Sequence, residues 1–352
     1  MSDIAFIVPG ALDQLTGGYL FDRHVVDGLR AAGRSVTLHE LPGNFPDTDA
    51  TARRAAASVL ASLGENAAAV VDGLALPAFI DCLTAEAAAR CKLVGFVHHP
   101  LALETGLAAE TGERFAAIEM RLLPRLAGVL CPSAITAWAV EDYGVPRARI
   151  IITPPGTDKP ATPPRRTPRD GPLHLLSIGS VTPRKGHLLL IEALSELKDR
   201  AWRLRCIGSL TRDPQTVAAV REAIAAHGLG ERVELVGEWP PVRLGAAYAE
   251  ADAFVLASYH EGYGMAFAEA LAHGLPVVGT TAGAIPETVP ATASLLVPPG
   301  DADALTAALR LLLDNAALRL RLAAGAAAAG EALPDWPAAA RHWMAAFDRL
   351  VA

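Results

Sequence analysis

The sequence of 352 residues has little of what marks several protein classes. Its four cysteines are scattered without the spacing of a metal site, so we predict reduced core thiols and no cysteine-ligated metal. No uncharged apolar run reaches the roughly 18 residues of a membrane span, and the N-terminus lacks the basic and apolar segments of a secretion signal. These absences predict a cytoplasmic protein without a transmembrane segment.

Positive charge is also scarce. The chain carries 31 Lys and Arg against 38 Asp and Glu, a net charge of −7, which argues against nucleic acid as a partner. Residues 1–157 carry 12 basic and 17 acidic side chains, or −5, and the remainder 19 and 21, or −2. Neither half has the balance typical of strong docking on anionic lipid, although a local basic patch would still allow peripheral membrane contact.

The chain is rich in short apolar segments that alternate with helical segments of Ala, Leu, Glu and Arg. The predicted strands are Ile4–Val8, Val36–Leu41, Ala69–Val71, Leu93–Val97, Val129–Cys131, Ile150–Thr153, Leu173–Ile178, Arg203–Ile207, Val233–Val236, Ala253–Leu256, Pro276–Gly279 and Ala293–Val297. This alternation predicts an α/β fold of two doubly wound, mostly parallel sheets. The proline-rich segment Pro154–Pro172 predicts a hinge between them, beside a central cleft.

The most informative segment is Ser258–Pro276, where Glu261 and Glu269 stand eight positions apart around a turn with Gly262 and Gly264. The pattern predicts a loop that ends at a helix N-terminus, which suits an anionic ligand. Carboxylates accept hydrogen bonds from sugar hydroxyls, so we expect a phosphate joined to a hydroxyl-rich group. The apolar neighbours of Glu269 predict a buried helix in which this carboxylate needs a partner.

Two further segments could contribute to such a site. Gly17 and Gly18 follow the first strand, where glycine amides can approach an anion closely, although a plain turn is an equal alternative. They do not form the GxGxxG fingerprint of a dinucleotide site. Arg184 and Lys185 precede a predicted helix at Leu188–Leu197 and could neutralise a diphosphate, unless they are a solvated pair on a loop.

Five segments, in this order, together resemble motifs of the retaining glycosyltransferases of GT-B family 4. They are Gly17–Gly18, residues 153–158 (TPPGTD), Arg184–Gly186, Glu261–Glu269 and residues 282–287 (AGAIPE). The resemblance implies two Rossmann-like domains, residues 1–157 with a returning helix 336–352, and 172–335. It also implies a UDP- or GDP-sugar as donor, held mainly by the second domain, and a hexosyltransferase without obligatory metal or other cofactor.

The resemblance also implies roles for individual residues. Glu269 is expected to bind the ribose, Glu261 the donor sugar, and Lys185 with Arg184 the diphosphate, acting from across the cleft. His98 is expected beside the transferred sugar, with His99 pointing the other way if its strand continues. Further contacts are expected from Gly17, Gly18, Gly262, Tyr263 and Gly264, and, beside the base, from Gly208, Ser209, Val236 and Gly237.

The chain departs from the family at two positions. Ser180 stands where the family usually has an arginine, which leaves open whether Arg184 replaces it, and Pro155 replaces the hinge asparagine. A degenerate nucleotide-sugar-binding protein without transfer is therefore an alternative, as is an inverting GT-B enzyme or an epimerase. The donor base and sugar and the hydroxyl acceptor, a glycan, a lipid or a small molecule, are not predicted by the sequence.

Overall fold

The computed structural model describes residues 3–161 and 171–352. The chain divides into two compact units: Met1–Gly156 with Pro334–Ala352, and Thr157–Leu333. The predicted hinge Pro154–Pro172 spans the boundary between them, but its residues 162–170 lie outside the described part of the chain.

The first unit is built on a six-stranded parallel sheet with strand order β2-β1-β3-β4-β5-β6. Its strands and helices up to the hinge are β1 (Ile4–Pro9), α1 (Gly17–Ala31), β2 (Val36–Leu41), α2 (Ala50–Ser62), β3 (Ala68–Asp72), α3 (Ala85–Arg90), β4 (Lys92–Phe96), α4 (Ala109–Leu122), β5 (Gly128–Cys131), α5 (Ala134–Asp142) and β6 (Ile150–Ile152). The strands β1, β3 and β5 are buried along their whole length, as expected of a parallel sheet covered on both faces.

The second unit has its own six-stranded parallel sheet, with strand order β12-β11-β10-β7-β8-β9. Its elements are β7 (Leu173–Ile178), α6 (His187–Ser195), β8 (Trp202–Ile207), α7 (Pro214–Ala226), β9 (Val233–Leu235), α8 (Pro241–Glu250), β10 (Ala253–Val255), α9 (Met265–Ala272), β11 (Val277–Thr280), α10 (Ile285–Thr288), β12 (Ser294–Val297), α11 (Ala302–Asp314) and α12 (Ala316–Ala332).

The last helix, α13 (Trp336–Val351), packs on the first unit. Asp335 caps its N-terminus by accepting a hydrogen bond from the Ala338 amide at 2.8 Å. The fully buried Trp343 ring contacts Phe6 and Phe96, with ring centroids 6.2 and 5.6 Å away. This helix therefore completes the core of the first unit.

The two predicted parallel, doubly wound sheets are both present, and each predicted strand is found within two residues of its expected bounds. Gly17 and Gly18 form the start of helix α1, with Thr16 as its N-cap, so their expected contact with an anion stays a prediction. Within residues 3–161 and 171–352, no helix combines the length and apolar character needed to cross a membrane.

Each sheet reverses its winding direction once, between β1 and β3 in the first unit and between β7 and β10 in the second. Chain segments that leave adjacent strands at such a point diverge, and the crevice beyond the carboxyl ends of the strands is where ligands bind in α/β sheets. The fold thus indicates one candidate ligand-binding position in each unit, at the carboxyl ends of the two strands between which the winding reverses.

Candidate functional site

In the second unit, the segments that follow β7 and β10 meet at the reversal point. After β7, a single 3₁₀ turn at Pro183–Lys185 leads through the left-handed Gly186 into α6. After β10, an irregular loop leads to α9, whose N-cap is Gly264 with φ +91°. The turn carries Arg184 and Lys185, and the loop carries Glu261.

These three side chains and Ser258 form what we call the cationic cluster. Lys185 Nζ lies 2.7 Å from Glu261 Oε1, and Arg184 Nη1 lies 3.3 Å from Glu261 Oε2. The Ser258 hydroxyl donates to Glu261 Oε1 at 2.6 Å. The expectation that the two cations act from across a cleft is wrong, because they lie in the same unit as Glu261 and contact it.

The cluster keeps Glu261 ionised although only 5% of this residue is exposed. Burial alone would raise its pKa, but the charges of Lys185 and Arg184 and the hydrogen bonds from Lys185 and Ser258 outweigh burial and lower the pKa to about 2. Two cations and one carboxylate leave a net charge of +1 at this point of the sheet.

The turn at residues 282–287 (AGAIPE) fixes the backbone around Glu261. The Ala284 amide donates to the Glu261 carbonyl at 2.8 Å. Gly283 has φ +55°, and a Cβ there would overlap the Glu261 backbone, so this turn requires glycine. The Tyr259 amide bonds the Arg184 carbonyl at 2.7 Å, which ties the loop to the 3₁₀ turn.

Glu269 lies on α9, where Glu269 Oε2 accepts a hydrogen bond from the Tyr248 hydroxyl at 2.8 Å. The predicted burial of this helix is confirmed for most of its residues, while Met265, Ala266 and Glu269 are partly exposed and form an open face. Burial raises the pKa of Glu269 to about 7, against the lowering effect of the Tyr248 hydrogen bond and with a further rise from Asp158. This carboxylate is thus held on one side and open on the other.

The helix N-terminus at α9 adds a second anion-attracting feature. The amides of Met265 and Ala266 begin the helix and have no intrahelical acceptor. The preceding loop is anchored by the Thr288 hydroxyl, which donates to the Tyr263 carbonyl at 2.6 Å. Gly262, Tyr263 and Gly264 therefore lead directly from the cationic cluster to the helix start.

The residues predicted beside the base are brought together at the ends of β8 and β9. However, the Gly208 amide donates to the Gly237 carbonyl at 3.0 Å, and the Val236 amide donates to the Cys206 carbonyl at 3.1 Å. The Ser209 carbonyl accepts from Val181 at 2.9 Å. These backbone groups already stabilise the sheet edge, so a base contact would have to use other atoms of the same residues.

Ser180 lies between the end of β7 and the 3₁₀ turn that carries Arg184 and Lys185. Ser180 follows Gly179, and the aliphatic part of the Lys185 side chain passes over Gly179, with Cδ 3.3 Å from where a Cβ would stand. Arg184 Nη1 donates to the His260 carbonyl at 3.0 Å as well as contacting Glu261. Arg184 thus brings a guanidinium into the cluster from the turn that follows Ser180.

In the first unit, three side chains meet at the reversal point between β1 and β3. His98 Nε2 lies 3.0 Å from Asp22 Oδ1 and 3.2 Å from Asp72 Oδ2. Asp22 is on α1, Asp72 ends β3, and His98 follows β4. We call this the carboxylate–histidine cluster. His98 was predicted, whereas Asp22 and Asp72 were missed, although an aspartate that ends a wholly apolar strand is a signal that could have identified Asp72.

The charges in this cluster shift one another strongly. Burial lowers the pKa of His98, but the two aspartates and their hydrogen bonds outweigh burial and raise it to about 10. Burial, helped by the charge of Asp72 and opposed by His98, raises the pKa of Asp22 to about 7. The three donor atoms lie within 4.8 Å of one another, a donor set that also suits a divalent cation, so metal independence stays a prediction.

The first turn of α1 covers the imidazole. A Cβ on Gly18 would stand 3.2 Å from Cδ2 of His98, so glycine allows the helix to approach the ring. Strand β4 ends at Phe96, before the two histidines. His99 instead has its own partner, with Nε2 3.3 Å from Glu104 Oε2.

Comparison with known proteins places both halves of the chain in one group of enzymes. Residues 23–159 match the family described as Glycosyltransferase Family 4, and residues 172–315 match Glycosyl transferases group 1. The MMP alpha-(1->4)-mannosyltransferase of Mycolicibacterium hassiacum is 27% identical over 278 residues, 74% of this chain and 66% of that protein. The chain spans about half the length of other relatives that it matches.

Solved structures share the fold along nearly the whole chain. Sucrose-phosphate synthase from Thermosynechococcus elongatus has a TM-score of 0.83 at 21% identity, over 99% of both chains. Anabaena Alr3699/HepE in complex with UDP-glucose has a TM-score of 0.75 at 18% identity, over 99% of this chain and 100% of that one. The predicted class of two Rossmann-like domains is confirmed, and the chain belongs to the glycosyltransferases described as Family 4 and group 1.

Proposed function

We propose that the protein is a hexosyltransferase that moves a sugar from a nucleoside-diphosphate sugar to a hydroxyl acceptor, with the donor site in the second unit. The observation that carries this proposal is the cationic cluster, which stands beside the first amides of α9, where the helix itself supplies no acceptor and no side chain caps the start. A net positive cluster next to a helix N-terminus suits a diphosphate. The UDP-glucose complex of the similar Alr3699/HepE supports a donor of this class.

The donor contacts follow from the two carboxylates. Glu261 is ionised and fixed, so it can accept hydrogen bonds from hydroxyls of the transferred sugar while it orients Lys185. Glu269 has its Oε2 bound to Tyr248 and stands on the open face of α9, which suits a ribose hydroxyl. Neither carboxylate is assigned as a nucleophile or general acid.

The proposed reaction retains the configuration of the sugar. The bond between the anomeric carbon and the diphosphate oxygen breaks, and the acceptor hydroxyl attacks from the same face. The acceptor proton passes to an oxygen of the departing phosphate, so no strong protein base is needed. The residues of the cationic cluster stabilise the charge that develops on the leaving group, which is where preorganised charge accelerates a reaction most.

Donor binding and product analysis test this proposal. The thermal midpoint should rise with UDP or GDP and with their sugars, because a ligand selective for the native state stabilises it by mass action. Transfer to a panel of glycan, lipid and small hydroxyl acceptors should give a product with the donor's anomeric configuration. A product with inverted configuration would support an inverting enzyme instead, and an epimerised sugar without transfer would support an epimerase.

Ser180 gives the reason to keep a second candidate, a nucleotide-sugar-binding protein without turnover. For this candidate, Ser180 stands where the family usually has an arginine that binds the diphosphate, and Arg184 does not take over that role. Calorimetric donor binding without hydrolysis, and without transfer to any acceptor, would favour this candidate. Restoration of transfer by Ser180→Arg would identify the missing cation as the cause.

A further inference from the structure

We propose that the second unit has a further ligand site, separate from the donor site, which binds a small sugar anion: a monosaccharide that carries one phosphate or carboxylate group. The site is a cavity of about 240 Å³ at the amino ends of β7, β8 and β9. The proposal goes beyond the proposed function and does not depend on it, because its residues are not those assigned to the donor.

The cavity lies at the end of the sheet that is opposite to the cationic cluster. Its lining includes Pro172 and His174 at the start of β7, whereas the cationic cluster follows the end of the same strand at Ile178. A strand of six residues spans about 20 Å. Of the residues that the structure describes, none belongs to both the cavity lining and the cationic cluster. The cavity is therefore a different site from the proposed donor site.

The floor of the cavity is apolar. Side chains alternate along a strand, so His174 and Leu176 stand on the same face of β7. On this face Leu176 packs with Ala247 of α8 and with Ala251 directly after that helix. All three apolar side chains also line the cavity. They offer a surface on which the C–H groups of a sugar ring can be buried from water.

One wall of the cavity is a network of ion pairs around Arg205. Arg205 Nε lies 3.1 Å from Glu234 Oε2, and its Nη1 lies 3.3 Å from Glu250 Oε2. The guanidinium also lies over the Trp239 ring, with Cζ 5.6 Å from the ring centroid. The charge of Arg205 is thus compensated by its own neighbours, so this residue shapes the wall and leaves anion binding to other side chains.

Two hydrogen-bond donors of the lining, His174 and Arg203, have no such compensation. They are register partners on the adjacent strands β7 and β8, so their side chains stand next to each other on the same face. Both are exposed and both line the cavity. In residues 3–161 and 171–352, neither the Arg203 guanidinium nor the His174 imidazole has a hydrogen-bond or ion-pair partner. A guanidinium presents a planar fork of donors that matches a phosphate or carboxylate, so we expect the anionic group here.

The remaining lining indicates what the anion is attached to. The exposed carboxylate of Glu231 also lines the cavity and has no partner in the part of the chain that the structure describes, so it can accept hydrogen bonds from sugar hydroxyls. The volume exceeds the roughly 150 Å³ of a cavity that holds benzene, which leaves room for a monosaccharide ring with one charged substituent. Three arginines and three glutamates line the cavity, so its charge is balanced and suits a single anionic group better than a polyanion.

Calorimetry on the full chain tests the site with three kinds of probe: the sugar anions glucose 6-phosphate, mannose 6-phosphate and glucuronate, then inorganic phosphate, then uncharged glucose. We expect at least one sugar anion to bind the wild type and to lose at least about tenfold in affinity in Arg203→Gln, because a charge-assisted contact is removed. Its affinity should not change in Arg221→Gln, the matched control, whose arginine is exposed on α7. His174→Gln, the second variant, should weaken the same probe by a smaller factor.

Three results would overturn the proposal. The first is that none of the three sugar anions binds the wild type. The second is that the sugar anion binds Arg203→Gln as tightly as the wild type. The third is that inorganic phosphate or glucose binds as tightly as the sugar anion, because the cavity would then recognise an adventitious ion only, or no charge at all.

Lys185→Ala separates this site from the donor site. The affinity for the sugar anion should be unchanged in Lys185→Ala, which is expected to weaken nucleoside diphosphates. Loss of the sugar anion in Lys185→Ala, with full affinity in Arg203→Gln, would place the anion in the cationic cluster and overturn the proposal. If no nucleoside diphosphate binds but the sugar anion binds in an Arg203-dependent way, the proposed function fails and the further site stands.

Discussion

The two units place charged clusters at equivalent points of their sheets, but with opposite composition. The cationic cluster has two cations around one carboxylate, and the carboxylate–histidine cluster has two carboxylates around one imidazole. Both stand where the winding direction of a parallel sheet reverses. The same backbone arrangement therefore supports sites of opposite charge, and the side chains at the strand ends decide which kind of group each site can stabilise.

The composition also sets the direction of each pKa shift. Cations hold the pKa of Glu261 at about 2, whereas burial beside a second carboxylate raises the pKa of Asp22 to about 7. In the cationic cluster the single carboxylate is stabilised in its charged form. In the other cluster the carboxylates compete, and the imidazole is the group held charged.

Among the variants that test the contrast between the two clusters, we expect Lys185→Ala to have the largest effect on activity. It removes one preorganised charge from the proposed leaving-group site, so we expect turnover at saturating donor to fall at least about 100-fold. Steady-state kinetics measure this, with the exposed Lys198→Ala as control. Near wild-type turnover in Lys185→Ala would remove the cationic cluster from the mechanism.

The second prediction contrasts the stability of two carboxylate variants. Glu261→Gln should lower the free energy of unfolding at pH 8 by about 2–3 kcal/mol, because two partly buried cations lose their partner. Asp22→Asn should cost less at the same pH, because burial and Asp72 disfavour the charged form of this carboxylate and Asp72 remains as a partner of His98. Urea denaturation of both variants measures the difference, and equal destabilisation would show that the clusters do not differ as described.

The third prediction concerns the pH range over which each cluster stabilises the fold. The pKa of Glu261 is lowered from 4.5 to about 2, so its contribution is present above pH 4.5 and lost as the pH falls towards 2. The pKa of His98 is raised from 6.5 to about 10, so its contribution is present below pH 6.5 and lost as the pH rises towards 10. The thermal midpoint should be measured as a function of pH. The fall of the wild-type midpoint at acid pH should be smaller in Glu261→Gln, and its fall at alkaline pH should be smaller in His98→Gln.

The fourth and smallest effect is expected from the hydrogen bond between Tyr248 and Glu269. Tyr248→Phe removes the hydrogen bond to Glu269 Oε2, worth about 1 kcal/mol, so the dissociation constant of a nucleoside diphosphate should rise by about fivefold. Calorimetry with matched diphosphates lacking the ribose hydroxyls should show no such change. If the variant weakens both ligands equally, Glu269 does not bind the ribose.

The sequence predicted the strands, their order along the chain and the positions of most candidate residues, because apolar runs and glycine turns are local signals. It did not predict the contact of Lys185 with Glu261, which lie 76 positions apart, or that of His98 with Asp22, which lie 76 apart as well. Such pairs depend on which strands are neighbours in the sheet, and hydrophobic periodicity carries no information on strand order. The open face of α9 was missed for a similar reason, since burial depends on what packs against a helix.

Calorimetric binding of UDP and GDP, compared with uridine and guanosine, tests the central claim most directly. If the cationic cluster binds the diphosphate of the donor, one of the two diphosphates should bind wild-type protein and lose at least about tenfold in affinity in Lys185→Ala, with a smaller loss at high salt. The matching nucleoside should bind both proteins equally. Equal diphosphate affinity of wild type and Lys185→Ala would contradict the account.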